Sequence, residues 1–224
     1  MALILAAAPA HAQLDRLFQW NKSGLSDAKI ADGLKQALQV GAQNAVSVTG
    51  TLDGYFANQA IKILMPERLK AVEQGMRTIG QGERVDAFVL GMNRAAERAA
   101  PKAKAIFGDA IGAMSFEDAR KILQGSNTAA TEYFRNKTTG KLTGAFRPVI
   151  STALNEVGVA KQYKDLVKTA SSVPFVNISS FDLDDYVVGR ALGGLFHVVG
   201  EEEQKIRANP AARVTPLLKE VFGK

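Results

Sequence analysis

The stretch Tyr186–Val199, reading YVVGRALGGLFHVV, is the part of this chain that most narrows its fold. It reads as a helix that is apolar almost all round, and such a helix has to be surrounded by other elements. Asp182 and Asp185 stand before it in capping-box spacing, so the helix is expected to open there and to reach about residue 207. Gly189, Gly193 and Gly194 lie inside it, and each lowers helix stability by about 1 kcal/mol relative to alanine. Close packing against another helix is one reason to keep them there; a groove that admits a ligand against bare backbone is the other. Glu201–Arg207 is expected to leave the core as a charged, solvated extension.

The rest of the chain supplies the surrounding helices. Ser26 caps a long one with Ile30, Leu34, Ala37, Leu38, Gly41, Ala45 and Val48 on one side, and Gly50–Gly54 reads as a turn. Tyr55–Met65 is compatible with a loop, a short strand pair or a helical turn. Pro66 suits the first turn of the next helix, with Leu69, Val72, Met76 and Ile79 at helical spacing and Gly80 and Gly82 as stops. From Val85 to Met114 one helical phase survives Pro101, which predicts a kinked helix or two nearly coaxial ones. Ala95, Ala96, Ala99, Ala100 and Ala103 leave room for a partner helix to approach.

Ser115–Thr138 packs two helix starts into a short span. Ser115 and Asp118 form a capping box, Gly125 is expected to end that helix in a left-handed C-cap, and Asn127 or Thr128 starts the next. Leu142, Ala145, Phe146, Val149, Ile150, Ala153, Leu154 and Val157 then form an amphipathic stripe, in which Pro148 should bend the helix or force a restart. Gly158 stops it, and Tyr163, Leu166 and Val167 mark a short helix. Ser171–Phe181 reads as a loop. Asn209-Pro210 and Thr215-Pro216 are two possible starts for a terminal helix. Alternating strand patterns and internal repeats are lacking, so the expected fold is all-α: a single-domain, multi-helix bundle over residues 13–224, built around the glycine-containing helix at about 182–207.

Several functional classes are disfavoured by composition. The 224 residues include no cysteine and only two histidines, His11 and His197, so thiol chemistry is excluded and a zinc site would need carboxylates. The net charge of +6 comes from lysines and arginines scattered among acids rather than from a basic tract, which argues for solubility rather than nucleic-acid binding. Met1–Ala12 (MALILAAAPAHA) ends in the small-x-small pattern of a signal-peptidase site, although the basic region expected before it is missing. The reading is a signal-peptide remnant; a short apolar N-terminal helix is the alternative. With no later run long enough to span a bilayer, export to a bacterial periplasm is the expected localisation.

Four long segments resemble one bacterial family, domain of unknown function 4197 (DUF4197). They are GLKQALQVGAQNAV (Gly33–Val46), NRAAERAAPKAKAIF (Asn93–Phe107), MSFEDARKILQGSNTAATEYFRNKT (Met114–Thr138) and DLDDYVVGRALGGLFHVVGEEEQKIRANPAARVTPLLKEVFG (Asp182–Gly223). The resemblance covers nearly the whole chain after the signal-like start. It implies an exported, predominantly helical protein and brings no established reaction or catalytic residues.

No G-x-S-x-G elbow, phosphate loop or dinucleotide fingerprint appears. His197 lies in an apolar helix and reads as a core histidine rather than a base, while His197 and Glu201, one turn apart, make at most a fragment of a metal site. The acidic pairs Glu117/Asp118, Asp184/Asp185 and Glu201–Glu203 suit helix termini or solvated faces. Asn93, Arg94, Glu97 and Arg98 form the polar cluster of most interest: an arginine beside small buried residues can hold a carboxylate or phosphate, or the four can be an internal ion-pair network. Arg94, Arg98, Glu97, Asn93, Tyr133, Tyr186, Gly189 and Gly193 are therefore the candidate ligand-binding residues, with no catalytic residue, metal or cofactor expected. The function these features favour is non-enzymatic binding of a lipid or other amphiphile in an apolar groove; a protein–protein interaction or scaffold role in the cell envelope is the alternative.

Overall fold

The computed structural model describes residues 27–156, 158, 159, 161, 163 and 181–208. The expectations for the signal-like start, the Ser26 cap, the loop after residue 170 and the terminal helix lie outside these residues, as do Val157, Leu166 and Val167. Among the described residues there are helices and no strand, as the sequence predicts. The elements are α1 (Asp27–Gly50), α2 (Lys70–Thr78), α3 (Gly82–Ala99), α4 (Ala103–Gly112), α5 (Phe116–Gln124), α6 (Ala129–Glu156) and α7 (Leu183–Ala208). Short 3-10 turns at Glu67–Leu69 and Ala100–Lys102 lead into α2 and α4.

The two longest-range packers are α6 and α7. α7 lies along α6 and along α1, while α6 also packs on α3 and α4. At their junction Phe107 of α4, Phe134 of α6 and Phe196 of α7 are almost fully buried, with Phe134 and Phe196 ring centroids 5.0 and 6.2 Å from that of Phe107. The small residues Ala95, Ala96, Ala99, Ala100 and Ala103 are all inaccessible to solvent. They lie on α3, on the turn after it and at the start of α4, elements that pack on α6 and on α1.

Helix ends follow local chemistry in most places. Ser115 and Asp118 make the predicted capping box: Asp118 N donates to Ser115 Oγ at 3.0 Å and Ser115 N donates to Asp118 Oδ2 at 3.1 Å. The Ser115 hydroxyl, donating to Asp118 Oδ2 at 2.7 Å, and the Ser115 N–H together hold the Asp118 carboxyl below its usual pKa. Asp182 caps α7 by accepting from Asp185 N at 2.9 Å. Gly80, at φ +80°, closes α2 with both bonds of a Schellman turn, Gly80 N to Arg77 O and Gln81 N to Met76 O.

Three expectations about breakers need correction. Gly82 does not end α2; it is the first residue of α3. Gly125 is not left-handed: at φ −83°, ψ −173° it is extended, and it is glycine because a Cβ there would lie 2.7 Å from Ala129 Cβ and from Lys121 O. Pro148 does not restart a helix either, since α6 is one helix through it. Phe146, Ile150, Ala153 and Leu154 stay buried on both sides of the proline, and packing against α3 and α7 outweighs the one backbone bond it removes.

Candidate functional site

Segment 51–65 has neither helix nor strand, so its backbone amides need partners from elsewhere. Its entry is tight: a Cβ on Gly54 would stand 2.2 Å from Val48 O, and Asp53 takes a left-handed φ of 65°. The partners come from α3. Glu97 Oε1 accepts from Tyr55 N and from Phe56 N, both at 3.1 Å. Asn93 Oδ1 accepts from Ile63 N at 2.8 Å, and its Nδ2 donates to Ile63 O and Val89 O at 2.8 Å. Arg94 donates to Glu97 Oε2 at 2.6 Å and to Asp53 Oδ1 at 2.7 Å. Partial burial works against that guanidinium's charge, but these two partners outweigh it and raise its pKa.

α7 grips the same segment from the other side. Tyr55 O–H donates to Ala191 O at 2.7 Å, and Tyr186 O–H donates to Leu64 O at 2.9 Å. Burial pushes the Tyr55 hydroxyl far above its ordinary pKa, and the Glu97 charge adds to the effect. Burial likewise raises Tyr186, partly offset by the charge of Arg190. Asn93, Arg94, Glu97 and Tyr186 are thus brought together around the chain's own backbone. The internal network, not an arginine-lined mouth, is what their geometry shows. Arg98 stands apart on an exposed ion pair with Glu156 (2.5 Å), and Tyr133 O–H donates to Ala110 O at 2.9 Å.

The three glycines of α7 part company. A Cβ on Gly194 would meet Tyr55 Cε1 at 2.6 Å and Ile61 Cβ at 3.0 Å, so the aromatic ring occupies the space where that side chain would be. Gly189 and Gly193 are exposed, and no described residue lies within 4 Å of a Cβ built on either. Close packing therefore accounts for Gly194 alone, and burial of the helix all round is corrected along this stripe. Gly189 and Gly193 line an open groove of about 280 Å³ between α6 and α7. Its α6 wall is Arg135, Thr139 and Thr143; its floor is Val188, Leu192 and Phe196. At one end Arg147 pairs with Asp182 and Asp185. At the other the Arg135 guanidinium lies over the Phe196 ring, 4.7 Å from its centroid. A second, wider depression of about 550 Å³ lies beside Gln43, Ser47, Thr51, Pro101 and Lys104.

The charged end of α7 corrects another expectation. Glu202 and Glu203 are 8% and 4% exposed rather than solvated. Glu203 accepts from Ala130 N, Thr131 N and Thr131 Oγ1 at the start of α6, and Arg207 holds it in turn. A buried carboxylate here meets the free N–H groups and positive end of a 28-residue helix. Glu202 accepts from Asn44 of α1 at 3.0 Å and from Lys205. His197, by contrast, is not a core residue: half its side chain is exposed, 3.4 Å from Glu201.

Sequence reasoning missed Tyr55, Glu203 and the groove residues Arg135, Thr139, Thr143 and Phe196. Only a weak signal existed for the groove. Arg135, Thr139, Thr143 and Arg147 recur every fourth residue on one line of α6, a spacing equally typical of a solvated face.

Chemically, the arrangement offers binding groups. Among the described residues no group of three or more histidine, cysteine, aspartate or glutamate side chains is placed to hold a metal ion. No helix among them is long and apolar enough to cross a membrane. The fold and groove define an all-α bundle with an open interhelical cleft. The chain belongs to the DUF4197 family, whose members are described as proteins of unknown function; the family model matches residues 24–223. No curated protein and no solved structure matches it.

Proposed function

We propose that this protein is a non-enzymatic interaction module of the bacterial cell envelope, and that it receives a helix of a partner protein in the groove between α6 and α7. The observation that carries this reading is the open space over Gly189 and Gly193, where a built Cβ meets no described residue within 4 Å. A helix without side chains at two positions one turn apart lets another backbone approach to the short end of the usual 8–10 Å interaxial range. Among the described residues neither glycine has a neighbour that a methyl group would strike, so packing there does not offset their helix-propensity cost.

Periplasmic residence belongs to the same proposal and is supported by the Ala10-His11-Ala12 pattern. Binding of a lipid or other amphiphile is the second reading, supported by Arg135 at the end of a groove floored by Val188, Leu192 and Phe196. That floor is almost fully buried already, and its three side chains are 2% to 6% exposed. Little apolar surface is left to drive binding of an acyl chain.

A photoreactive residue at Thr143, in protein expressed in its own host, tests the reading. The expected result is a discrete protein cross-link that Gly193→Leu abolishes while the thermal midpoint is kept. A cross-link indifferent to Gly193→Leu, or a stoichiometric lipid recovered by native mass spectrometry from unmodified protein, would overturn it.

A further inference from the structure

The groove also carries information about the charge of its occupant, and the inference drawn here rests on the groove reading above. Its two ends differ. At the Arg147 end the guanidinium is met by Asp182 and Asp185. At the Arg135 end the guanidinium rests on the Phe196 ring and meets no carboxylate among the described residues. Phe196 is 2% exposed and packed against Phe107, so the ring presents a fixed face. A guanidinium stacked on such a face keeps its N–H groups directed outward in the plane of the fork, free to take two acceptor oxygens.

The surroundings reinforce the sign. None of the α6 residues that line the groove, Arg135, Thr139 and Thr143, is acidic. The middle of the groove, by contrast, offers nothing ionic. Thr139 and Thr143 each donate their hydroxyl to the carbonyl four residues earlier in α6, and Gly189 and Gly193 have no side chain.

We infer that the groove recognises an acidic partner helix: small or short apolar residues over Gly189 and Gly193, and a glutamate or aspartate at the end that reaches Arg135. The distance from Asp185 to Phe196 along α7, about 16 Å at 1.5 Å per residue, matches about three turns of such a helix. The Arg135–carboxylate pair selects the partner and sets its direction in the groove. The buried floor contributes shape.

The test uses the full-length protein and two amidated 18-residue alanine-rich helical peptides, identical except for glutamate or lysine at every fourth position, each bearing an uncharged fluorophore. The glutamate peptide is expected to bind and the lysine peptide not to. Arg135→Glu is expected to weaken the glutamate peptide by at least about tenfold and to favour the lysine peptide, because one charge-assisted pair becomes a repulsion. Equal binding of both peptides, or indifference to Arg135→Glu, would overturn the inference. So would Arg135-dependent binding of decanoate that displaces the glutamate peptide, which would assign the arginine to an amphiphile. The same charge reversal in the Thr143 cross-linking protein separates the two claims. A cross-link lost in Gly193→Leu but retained in Arg135→Glu leaves the docking groove standing and removes its charge preference; one retained in both removes the groove.

Discussion

Two faces of α7 carry the same residue type to opposite ends. On one face Gly194 is pressed by Tyr55 and Ile61, and around that contact five side-chain anchors fasten segment 53–64 to the bundle. On the other, Gly189 and Gly193 look into an open groove with no described residue within 4 Å of a Cβ. The first face is a finished interior. Its polar groups are spent on the chain's own backbone and on one another. The second has an unspent arginine, an apolar floor and bare backbone. The difference teaches where to look for function in a bundle of this kind. The conspicuous polar cluster on α3 is structural, and the plain stretch of α6 beside two glycines is where the proposed partner would dock.

That contrast makes stability and binding separable. The largest effect is expected from Glu97→Ala, which leaves the amides of Tyr55 and Phe56 without an acceptor and Arg94 without its inner partner. A loss of about 3 kcal/mol in chemical denaturation is expected for a buried charge network broken on one side. Next comes Gly194→Ala. Its methyl group would stand 2.6 Å from the Tyr55 ring, which the bond to Ala191 O holds in place, and overpacking of this kind costs about 2 kcal/mol despite the better helix propensity of alanine.

Tyr55→Phe is expected to cost about 1 kcal/mol near neutral pH through the lost bond to Ala191 O. It should also change the alkaline limb of the stability curve. The folded-state pKa of Tyr55 is raised, so its stabilising contribution is fully present below the unfolded-state pKa of about 10 and is lost as pH rises above it. The variant should therefore show a shallower decline above that pH than the parent.

The smallest effects, and opposite in sign, are expected on the open face. Gly189→Ala and Gly193→Ala should each raise stability by up to about 1 kcal/mol, since each gains helix propensity and meets no neighbour. If either lowers the midpoint as Gly194→Ala does, the two faces are alike and the groove is not free. If both raise it while partner cross-linking at Thr143 declines, the glycines are kept for binding rather than for the fold.

Features with short-range causes were legible in advance. The Ser115–Asp118 capping box, the Gly80 stop and the Asp182 cap depend on groups within five residues of one another, and the structure forms all three. The long-range partners were not legible. Glu97 reaches amides 41 and 42 positions away, and Glu203 reaches amides 72 and 73 positions away. Nothing in their local sequence separates them from solvated helix-surface glutamates. Read by spacing alone, Asn93, Arg94 and Glu97 fit a ligand site or an internal network, because the same hydrogen-bonding capacity serves a ligand or a loop.

By itself the sequence determined an all-helical chain, most of its helix boundaries and its membership of a family, because periodicity, caps and breakers act over a few residues. Tertiary structure alone decided which of three neighbouring glycines would be filled and which left open. All three share one helix and one propensity. At 100° per residue, Gly194 turns toward segment 55–61 while Gly189 and Gly193 turn toward α6 and solvent, and only the placement of those neighbours distinguishes a packing contact from a groove.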